Sequence, residues 1–142
     1  PEPLGKSFNN TYLETKLKNS ERNIKNILMD QKIVAGLGNI YVTEALWGSK
    51  INPKRLGKNI NPVDCINLII SIKKVLKKAI SYGGTSLKDF RKVGGEFGYF
   101  QNKLNAYGKE KKKCSRIKCC GEINKILISG RSSFFCTVCQ NK

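Results

Sequence analysis

The spacing of the cysteines constrains the fold of this chain more than any other feature of the sequence. Five of the six cysteines lie between residues 114 and 142; Cys136 and Cys139 are separated by two residues, and Cys114 and Cys119 by four. Ligand pairs at such spacings lie on tight turns that direct both thiolates at one ion, and a hairpin between the pairs is the usual zinc-ribbon arrangement. The pattern predicts one structural Zn²⁺ bound by these four cysteines.

The identity of the second ligand and the state of the thiols leave alternatives open. Cys119 and Cys120 are adjacent, and only one of them is expected to bind, so Cys120 is the alternative to Cys119. An unmetallated finger and disulfides are the other interpretations, but paired spacing without a secretion signal is typical of metal binding and indicates a reducing compartment. Four thiolates leave zinc no open position, so the metal would support folding and not catalysis.

The charge balance indicates the class of partner. The 142 residues carry 27 lysines and arginines against 10 acidic residues, which gives a net charge of +17. A polyanion would supply the counter-charge, so nucleic acid is the expected partner; a lysine-rich surface that follows a biased composition is the alternative. Because there is no histidine, Ser-His-Asp and Cys-His catalysis are excluded within these residues.

No part of the sequence predicts a membrane partner. No apolar run exceeds three residues, as at Leu68 to Ile70, which is far shorter than the ~20 residues needed to span a bilayer. No lipidation signal and no basic amphipathic terminal helix is evident. We therefore expect a soluble, cytoplasmic protein.

The apolar spacing predicts that the first region is helical. Segments 8–20 and 22–31 have helical periodicity, and a third helix is expected to begin at Asn39 and to end near Gly48.

The longest helix is expected to follow Asn61 as its N-cap, with Pro62 in its first turn, and to end at 83–84. Its predicted buried stripe comprises Val63, Ile66, Ile69, Ile70, Val75, Leu76, Ala79 and Ile80.

The carboxyl-terminal region differs in composition and in pattern. Residues 103–142 carry 10 basic and 2 acidic residues, whereas residues 1–102 carry 17 and 8, which indicates a boundary between two regions. Two short strands, 126–128 and 132–136, are expected around a Gly130-Arg131 turn.

One segment resembles the signature of a known family. Residues 30–41, DQKIVAGLGNIY, with Glu44-Ala45-Leu46 after them, resemble the helix-two-turn-helix motif of the formamidopyrimidine-DNA glycosylase and endonuclease VIII family. The segments that resemble the lesion-capping loop and the approach to the finger in the formamidopyrimidine branch are Gly83-Gly84-Thr85, Leu87 to Phe90, Gly98-Tyr99-Phe100 and Tyr107-Gly108. Residues 130–136, GRSSFFC, resemble the hairpin of the finger, so the resemblance covers nearly the whole chain.

The resemblance implies the fold class and the domain organisation. We expect a mainly α protein, a helix-two-turn-helix bundle with a small carboxyl-terminal β-hairpin zinc finger. Residues 1–102 would form the DNA-binding domain, with a lesion-capping loop at about 83–100, and residues 103–142 would form the four-cysteine finger.

The first ligand pair departs from the family pattern, in which the finger usually opens with C-x2-C. The Cys119-x16-Cys136 separation resembles the family spacing and favours Cys119 as the second ligand, whereas the Cys120-Gly121 dipeptide favours Cys120. We choose Cys119.

The activity that the resemblance implies is base excision. The chain would be the DNA-binding half of a DNA glycosylase/AP lyase that removes oxidised purines, namely 8-oxoguanine and formamidopyrimidines, and cleaves the abasic site. By resemblance, Lys25 and Asn39 bind phosphates next to the lesion, and Arg131 binds the backbone of the everted nucleotide and donates a proton in δ elimination. A helix that opens after Gly38 also attracts phosphate through its free N–H groups. The ordinary alternatives are a helix cap for Asn39, a solvated lysine for Lys25 and a turn arginine for Arg131.

The family's amino-terminal β-rich domain, which begins with a proline nucleophile, has no counterpart in this sequence. Pro1-Glu2 has the composition of that start, but the residues after it resemble the linker into the helical domain, so Pro1 is not expected to be the nucleophile. We expect a monomer that binds damaged double-stranded DNA in the nucleoid and is inactive by itself. A stand-alone, non-catalytic zinc-dependent DNA-binding module and a zinc-ribbon RNA-binding protein are the alternatives.

Overall fold

The architecture is a helical bundle followed by a two-stranded hairpin. The structure is a computed structural model that describes residues 1–83 and 103–141. Within these ranges its elements are α1 (Asn10–Leu17), α2 (Ile24–Met29), α3 (Asn39–Gly48), a short 3-10 turn (Gly57–Asn59), α4 (Pro62–Gly83), β1 (Ile123–Ile128) and β2 (Arg131–Cys136). The predicted class, mainly α with a small carboxyl-terminal hairpin, is confirmed. The lesion-capping loop predicted at about 83–100 lies outside the described residues, apart from the end of α4.

Asparagine side chains fix where three of the helices begin. The Oδ1 atoms of Asn9, Asn23 and Asn61 accept the backbone N–H three residues ahead, at 2.9, 2.8 and 2.7 Å. Such caps satisfy N–H groups that have no partner within the helix. Asn61 is the predicted cap of α4, whereas the caps of α1 and α2 make these helices shorter than predicted.

Helix α4 buries a face that only partly matches the one predicted: Ile69, Leu76 and Ala79 of the predicted stripe are buried. The buried residues on α4 are Cys65, Leu68, Ile69, Ser71, Ile72, Leu76 and Ala79, whereas Val63, Ile66, Ile70 and Ile80 are exposed. Both faces of this helix carry apolar residues, so periodicity identified the helix but not which side packs against α1 and α3. The prediction of the stripe was therefore wrong at these four exposed positions.

A close approach of two helices holds α3 against α4. The hydroxyl of Ser71 on α4 donates to the carbonyl of Ala45 on α3 at 2.8 Å. A Cβ atom at Gly48 would lie 2.4 Å from the same hydroxyl oxygen, so a larger residue would push the helices apart. This contact positions α3, the helix that carries Asn39, Glu44 and Trp47.

The hairpin turns over Ser129 and Gly130, which have φ values of 51° and 79°. Two successive residues with positive φ are typical of a turn whose twist matches that of the strands. Arg131 is therefore the first residue of β2 and pairs with Ile128, one position away from the turn that the sequence suggested.

A buried carboxylate joins the helical bundle to the chain that leads into the hairpin. Glu44 on α3 is buried, and its oxygens accept the backbone N–H groups of Asn105, Ala106 and Tyr107 at 2.7, 2.8 and 2.8 Å. Hydrogen bonds to an ionised acceptor are stronger than neutral ones, and three of them offset the burial of the charge. Glu44 thus fixes where residues 105–107 cross α3.

In the described residues, no helix combines the length and apolar character needed to cross a membrane.

Candidate metal centre and nucleic-acid interface

Four cysteine sulfurs lie together at the base of the hairpin. The Sγ atoms of Cys114, Cys119, Cys136 and Cys139 are all within 4.8 Å of one another, and we call these residues the thiol cluster. Two of the separations, Cys119 to Cys136 and Cys114 to Cys139, are 3.6 and 3.8 Å. A tetrahedron with Zn–S bonds of about 2.3 Å has sulfurs about 3.8 Å apart. The thiol cluster therefore has the ligand type, number and spacing to hold one metal ion.

Cys120 lies outside the thiol cluster and is exposed. The backbone N–H of Gly121 donates to the Cys119 sulfur at 3.4 Å, and a Cβ at Gly121 would lie 2.5 Å from the Cys136 sulfur. Only glycine allows this close approach, so the chain turns tightly after Cys119 and points Cys120 away. The structure thus brings together the four cysteines chosen from the sequence and leaves out the alternative ligand.

The second cysteine pair is positioned by Gln140, which is fully buried. Its side-chain oxygen accepts the backbone N–H of Cys136 at 2.8 Å, and its amide donates to the carbonyl of Ile51 at 3.0 Å. The amide of Asn52 donates back to the Gln140 carbonyl at 2.9 Å. Sequence patterns missed the contacts of Gln140 with Ile51 and Asn52 because these partners lie far apart in the chain.

The indole N–H of Trp47, at the end of α3, donates to the Cys114 sulfur at 3.3 Å. Burial raises the pKa of the Cys114 thiol, but hydrogen bonds from the Arg116 backbone, the Trp47 indole and the Cys119 and Cys136 thiols together outweigh it and lower the pKa to about 7. A thiol with a lowered pKa supplies the thiolate that binds metal more readily. The contact between Trp47 and Cys114 was also missed from the sequence, although Trp47 is the only tryptophan in the chain.

Lys25 is a buried lysine that connects α2 to the hairpin. Only 1% of it is exposed, and its Nζ donates to the carbonyl of Ser132, at 3.0 Å, and to the hydroxyl of Ser133. Burial, together with the positive charge of Arg131, lowers the pKa of Lys25 from 10.5 to about 8. Lys25 is thus not the solvated helix lysine that the sequence left open.

Asn39 reaches the same carbonyl from the start of α3. Its Nδ2 donates to the Ser132 carbonyl at 3.0 Å, and its buried Oδ1 has no hydrogen-bond partner among the described residues. The cap of α3 is Gly38, which offers no side-chain acceptor to the first N–H groups of the helix. Asn39 is therefore not the cap, and Gly38 leaves the start of α3 without a side-chain cap.

Arg131 completes this group from the exposed side. It begins β2, directly before Ser132, and its side chain is exposed. We call Lys25, Asn39 and Arg131 the donor cluster: Lys25 and Asn39 donate to the Ser132 carbonyl, and Arg131 is close enough for its charge to act on Lys25. Among residues 1–83 and 103–141, neither Lys25 nor Arg131 forms a salt bridge. Two unneutralised positive charges and a helix N-terminus give this surface the chemistry of an anion site.

Pro1 is exposed, and its carbonyl accepts the backbone N–H of Ala35 at 3.0 Å. This contact places the first residue against the turn that precedes α3.

Comparison with known proteins gives a consistent family. The family model described as the formamidopyrimidine-DNA glycosylase H2TH domain matches residues 1–91. The formamidopyrimidine-DNA glycosylases of Zymomonas mobilis and Ruegeria pomeroyi are 49% and 48% identical to this chain over 140 residues. Both matches cover 99% of this chain but 51% and 50% of those proteins, so the chain spans about half the length of these curated relatives.

Solved structures match over the whole chain as well. The Lactococcus lactis formamidopyrimidine-DNA glycosylase bound non-covalently to DNA containing an AP site is 42% identical, with a TM-score of 0.85, over 100% of this chain and 49% of that chain. The same enzyme bound to DNA containing N7-benzyl-Fapy-dG is 44% identical, with a TM-score of 0.87, over 100% of this chain and 51% of that chain.

Proposed function

The chain belongs to the formamidopyrimidine-DNA glycosylase family, and from this we propose that it is the DNA-binding half of a base-excision DNA glycosylase/AP lyase. The substrates would be oxidised purines, 8-oxoguanine and formamidopyrimidines, in double-stranded DNA, and the enzyme would also cleave the abasic site. The observation that carries the proposal is the donor cluster, in which Lys25 on α2 and Asn39 on α3 donate to the Ser132 carbonyl of β2, and the exposed Arg131 directly precedes Ser132.

Each member of the donor cluster has a distinct task in this proposal. The ammonium of Lys25 and the amide of Asn39 bind backbone phosphates, and the N–H groups after Gly38 add the dipole of α3. Arg131 presents a fork of donors that suits a phosphate. In the family pattern, the same arginine donates a proton during δ elimination, and we assign that role to Arg131. The finger and the helical bundle would thus bind one DNA backbone together.

We further propose that the thiol cluster binds one Zn²⁺ and that residues 1–102 and 103–142 act as a DNA-binding domain and a zinc finger. Zinc would supply folding energy, because four thiolates leave it no open coordination position. The thiolates must stay reduced to bind it, which fits a cytoplasmic, nucleoid-associated monomer.

These 142 residues alone are expected to show neither glycosylase nor lyase activity. The family's nucleophile belongs to a β-rich domain, and the present chain spans about half the length of its relatives. Borohydride traps a Schiff base between an amine and the abasic sugar. A covalent adduct through Pro1 would contradict the expectation.

Binding should be specific for duplex DNA and should weaken steeply as salt is added, because lysines and arginines replace condensed counterions. The test compares an abasic duplex, an undamaged duplex and a structured RNA of equal length over a salt titration. We expect the abasic duplex to bind best. Equal or tighter binding of the RNA would contradict the proposed function and favour a zinc-ribbon RNA-binding protein.

The affinity for DNA should fall as the pH rises from 7 to 9. Lys25 in the free protein loses its proton near pH 8, whereas a bound phosphate favours the charged form. One pH unit above the pKa leaves about a tenth of the lysine charged, so the loss should approach tenfold. Lys25→Arg keeps the charge over this range and should flatten the pH dependence. Equal slopes for the two proteins in a fluorescence-anisotropy titration would rule out Lys25 as the titrating group.

A further inference from the structure

One arginine links the thiol cluster to the far end of α3. The Nε–H of Arg116 donates to the Cys139 sulfur at 3.4 Å, and its Nη2 donates to the backbone carbonyl of Trp47. The centre of its guanidinium lies 4.1 Å from the centre of the Trp47 ring. Because Trp47 itself donates to Cys114 at 3.3 Å, this pair of side chains contacts a sulfur from each of the two cysteine pairs.

The chemistry of these contacts suits a loaded metal site. Zn²⁺ with four thiolates carries a net charge of −2, and N–H donors and a cation placed against the sulfurs stabilise that charge. A guanidinium stacked on an indole gains a cation–π interaction. The same guanidinium binds a carbonyl at the carboxyl-terminal end of α3, where the helix dipole favours positive charge. Arginine is the side chain that can meet all three demands at once.

The two ends of α3 are both attached to the hairpin region. At its start, Asn39 donates to the Ser132 carbonyl; at its end, Trp47 and Arg116 connect it to the thiol cluster. A helix of this length spans about 15 Å, so the two attachments hold its direction as well as its position.

We propose that Arg116 is a positioning residue of the metal centre that, with Trp47, couples metal loading to the placement of α3. This inference rests on the proposed zinc site. Without metal, no ion holds the four sulfurs together, so Trp47 and Arg116 lose the fixed positions of Cys114 and Cys139 that they contact, and the carboxyl-terminal end of α3 loosens from the finger. The phosphate-binding start of α3 lies on the same rigid helix, and metal loading thereby supports the donor cluster.

The test uses the whole chain and zinc itself as the probe. Arg116→Gln should weaken zinc affinity roughly 10- to 100-fold, the range for residues that contact metal ligands. Lys118→Gln removes an equal charge from the same turn, where the structure gives no contact of that side chain to a sulfur; it should leave zinc affinity unchanged. Equal affinities of Arg116→Gln and the wild type would overturn the inference, whereas a wild type that binds no zinc would refute the zinc site itself.

Two spectroscopic readouts separate positioning from general stability. With Co²⁺ in place of zinc, the sulfur-to-metal bands of Arg116→Gln should shift relative to the wild type, because a hydrogen bond to sulfur is lost. Trp47 is the only tryptophan, so its emission should change on zinc removal in the wild type and change less in Arg116→Gln. Unaltered bands and an unaltered emission response would overturn the inference.

If Arg116→Gln does not fold, two milder variants test whether Arg116 and Trp47 support zinc binding. Trp47→Phe keeps an aromatic ring but replaces the indole with a smaller one that has no N–H donor to Cys114, and Arg116→Lys keeps the charge and deletes the fork. Both should bind zinc more weakly than the wild type, with Co²⁺ bands shifted. Wild-type zinc affinity in both variants would contradict the proposed role.

Discussion

Replacing Cys119 with serine should abolish zinc binding and unfold the hairpin region, whereas replacing Cys120 with serine should change neither. Cys119 supplies one of four clustered sulfurs, while the neighbouring Cys120 is exposed outside the cluster. Structural zinc contributes on the order of 10 kcal/mol or more in small fingers, which exceeds what this small apolar core can replace. Metal analysis of the purified proteins should give one zinc per chain for the wild type and for Cys120→Ser.

The loss of zinc should also weaken the binding of DNA. Without an ordered hairpin, Lys25 and Asn39 lose the Ser132 carbonyl that holds them, and Arg131 loses its fixed position. A chelator should therefore reduce the affinity of the wild type for an abasic duplex to that of Cys119→Ser, and added zinc should restore it. Zinc loss in Cys120→Ser together with retention in Cys119→Ser would overturn the ligand assignment.

Local patterns predicted the parts of this molecule that local geometry controls. The cysteine pairs could be read from spacing, because two ligands on one tight turn are close whatever the rest of the chain does. The starts of α3 and α4 followed from Gly38-Asn39 and Asn61-Pro62, where capping depends on neighbours within a few residues. Assignment of Lys25 and Arg131 to the site came from family resemblance, because their own sequence neighbourhoods are ordinary.

Local sequence patterns could not predict which face of α4 is buried. With apolar residues on two faces, the sequence determines the helix but not which face meets α1 and α3. Leu68 and Ile70 are equally apolar in sequence, yet the first is fully buried and the second is 58% exposed. The positions of the neighbouring helices determine which of the two side chains is buried.

The contacts that join the two regions were also missed, because their partners lie far apart in the chain. Glu44 binds residues 105–107, Gln140 binds Ile51, and Arg116 binds Trp47. One signal was available for Glu44. An acidic residue inside the apolar run of α3 must be buried with partners, since an unpaired buried carboxylate costs several kcal/mol.

Arg131→Ala should weaken binding to abasic-site DNA by about 1.5 to 3 kcal/mol, the range for hydrogen bonds that involve a charged group. This corresponds to a loss of about 10- to 150-fold in affinity. Arg131 is exposed and begins β2 without holding the hairpin turn, so zinc content and folding should not change. In a full-length enzyme, the same substitution should slow δ elimination in particular.

Lys125→Ala is the matched control. Lys125 is an exposed cation on β1, so its loss removes the same charge from the same hairpin but leaves the donor cluster intact. If DNA binding depended only on general attraction to a polyanion, Arg131→Ala and Lys125→Ala would lose equal affinity for DNA. If Arg131 binds a phosphate, Arg131→Ala loses much more affinity than Lys125→Ala.

The affinity of the zinc-loaded chain for an abasic duplex, measured at low salt for the wild type, Arg131→Ala and Lys125→Ala, tests the central claim most directly. The proposed DNA-binding role predicts that Arg131→Ala loses at least about tenfold, the lower end of the range above, while Lys125→Ala stays close to the wild type. Unchanged affinity in Arg131→Ala with its zinc intact would contradict the claim that this surface binds the DNA backbone.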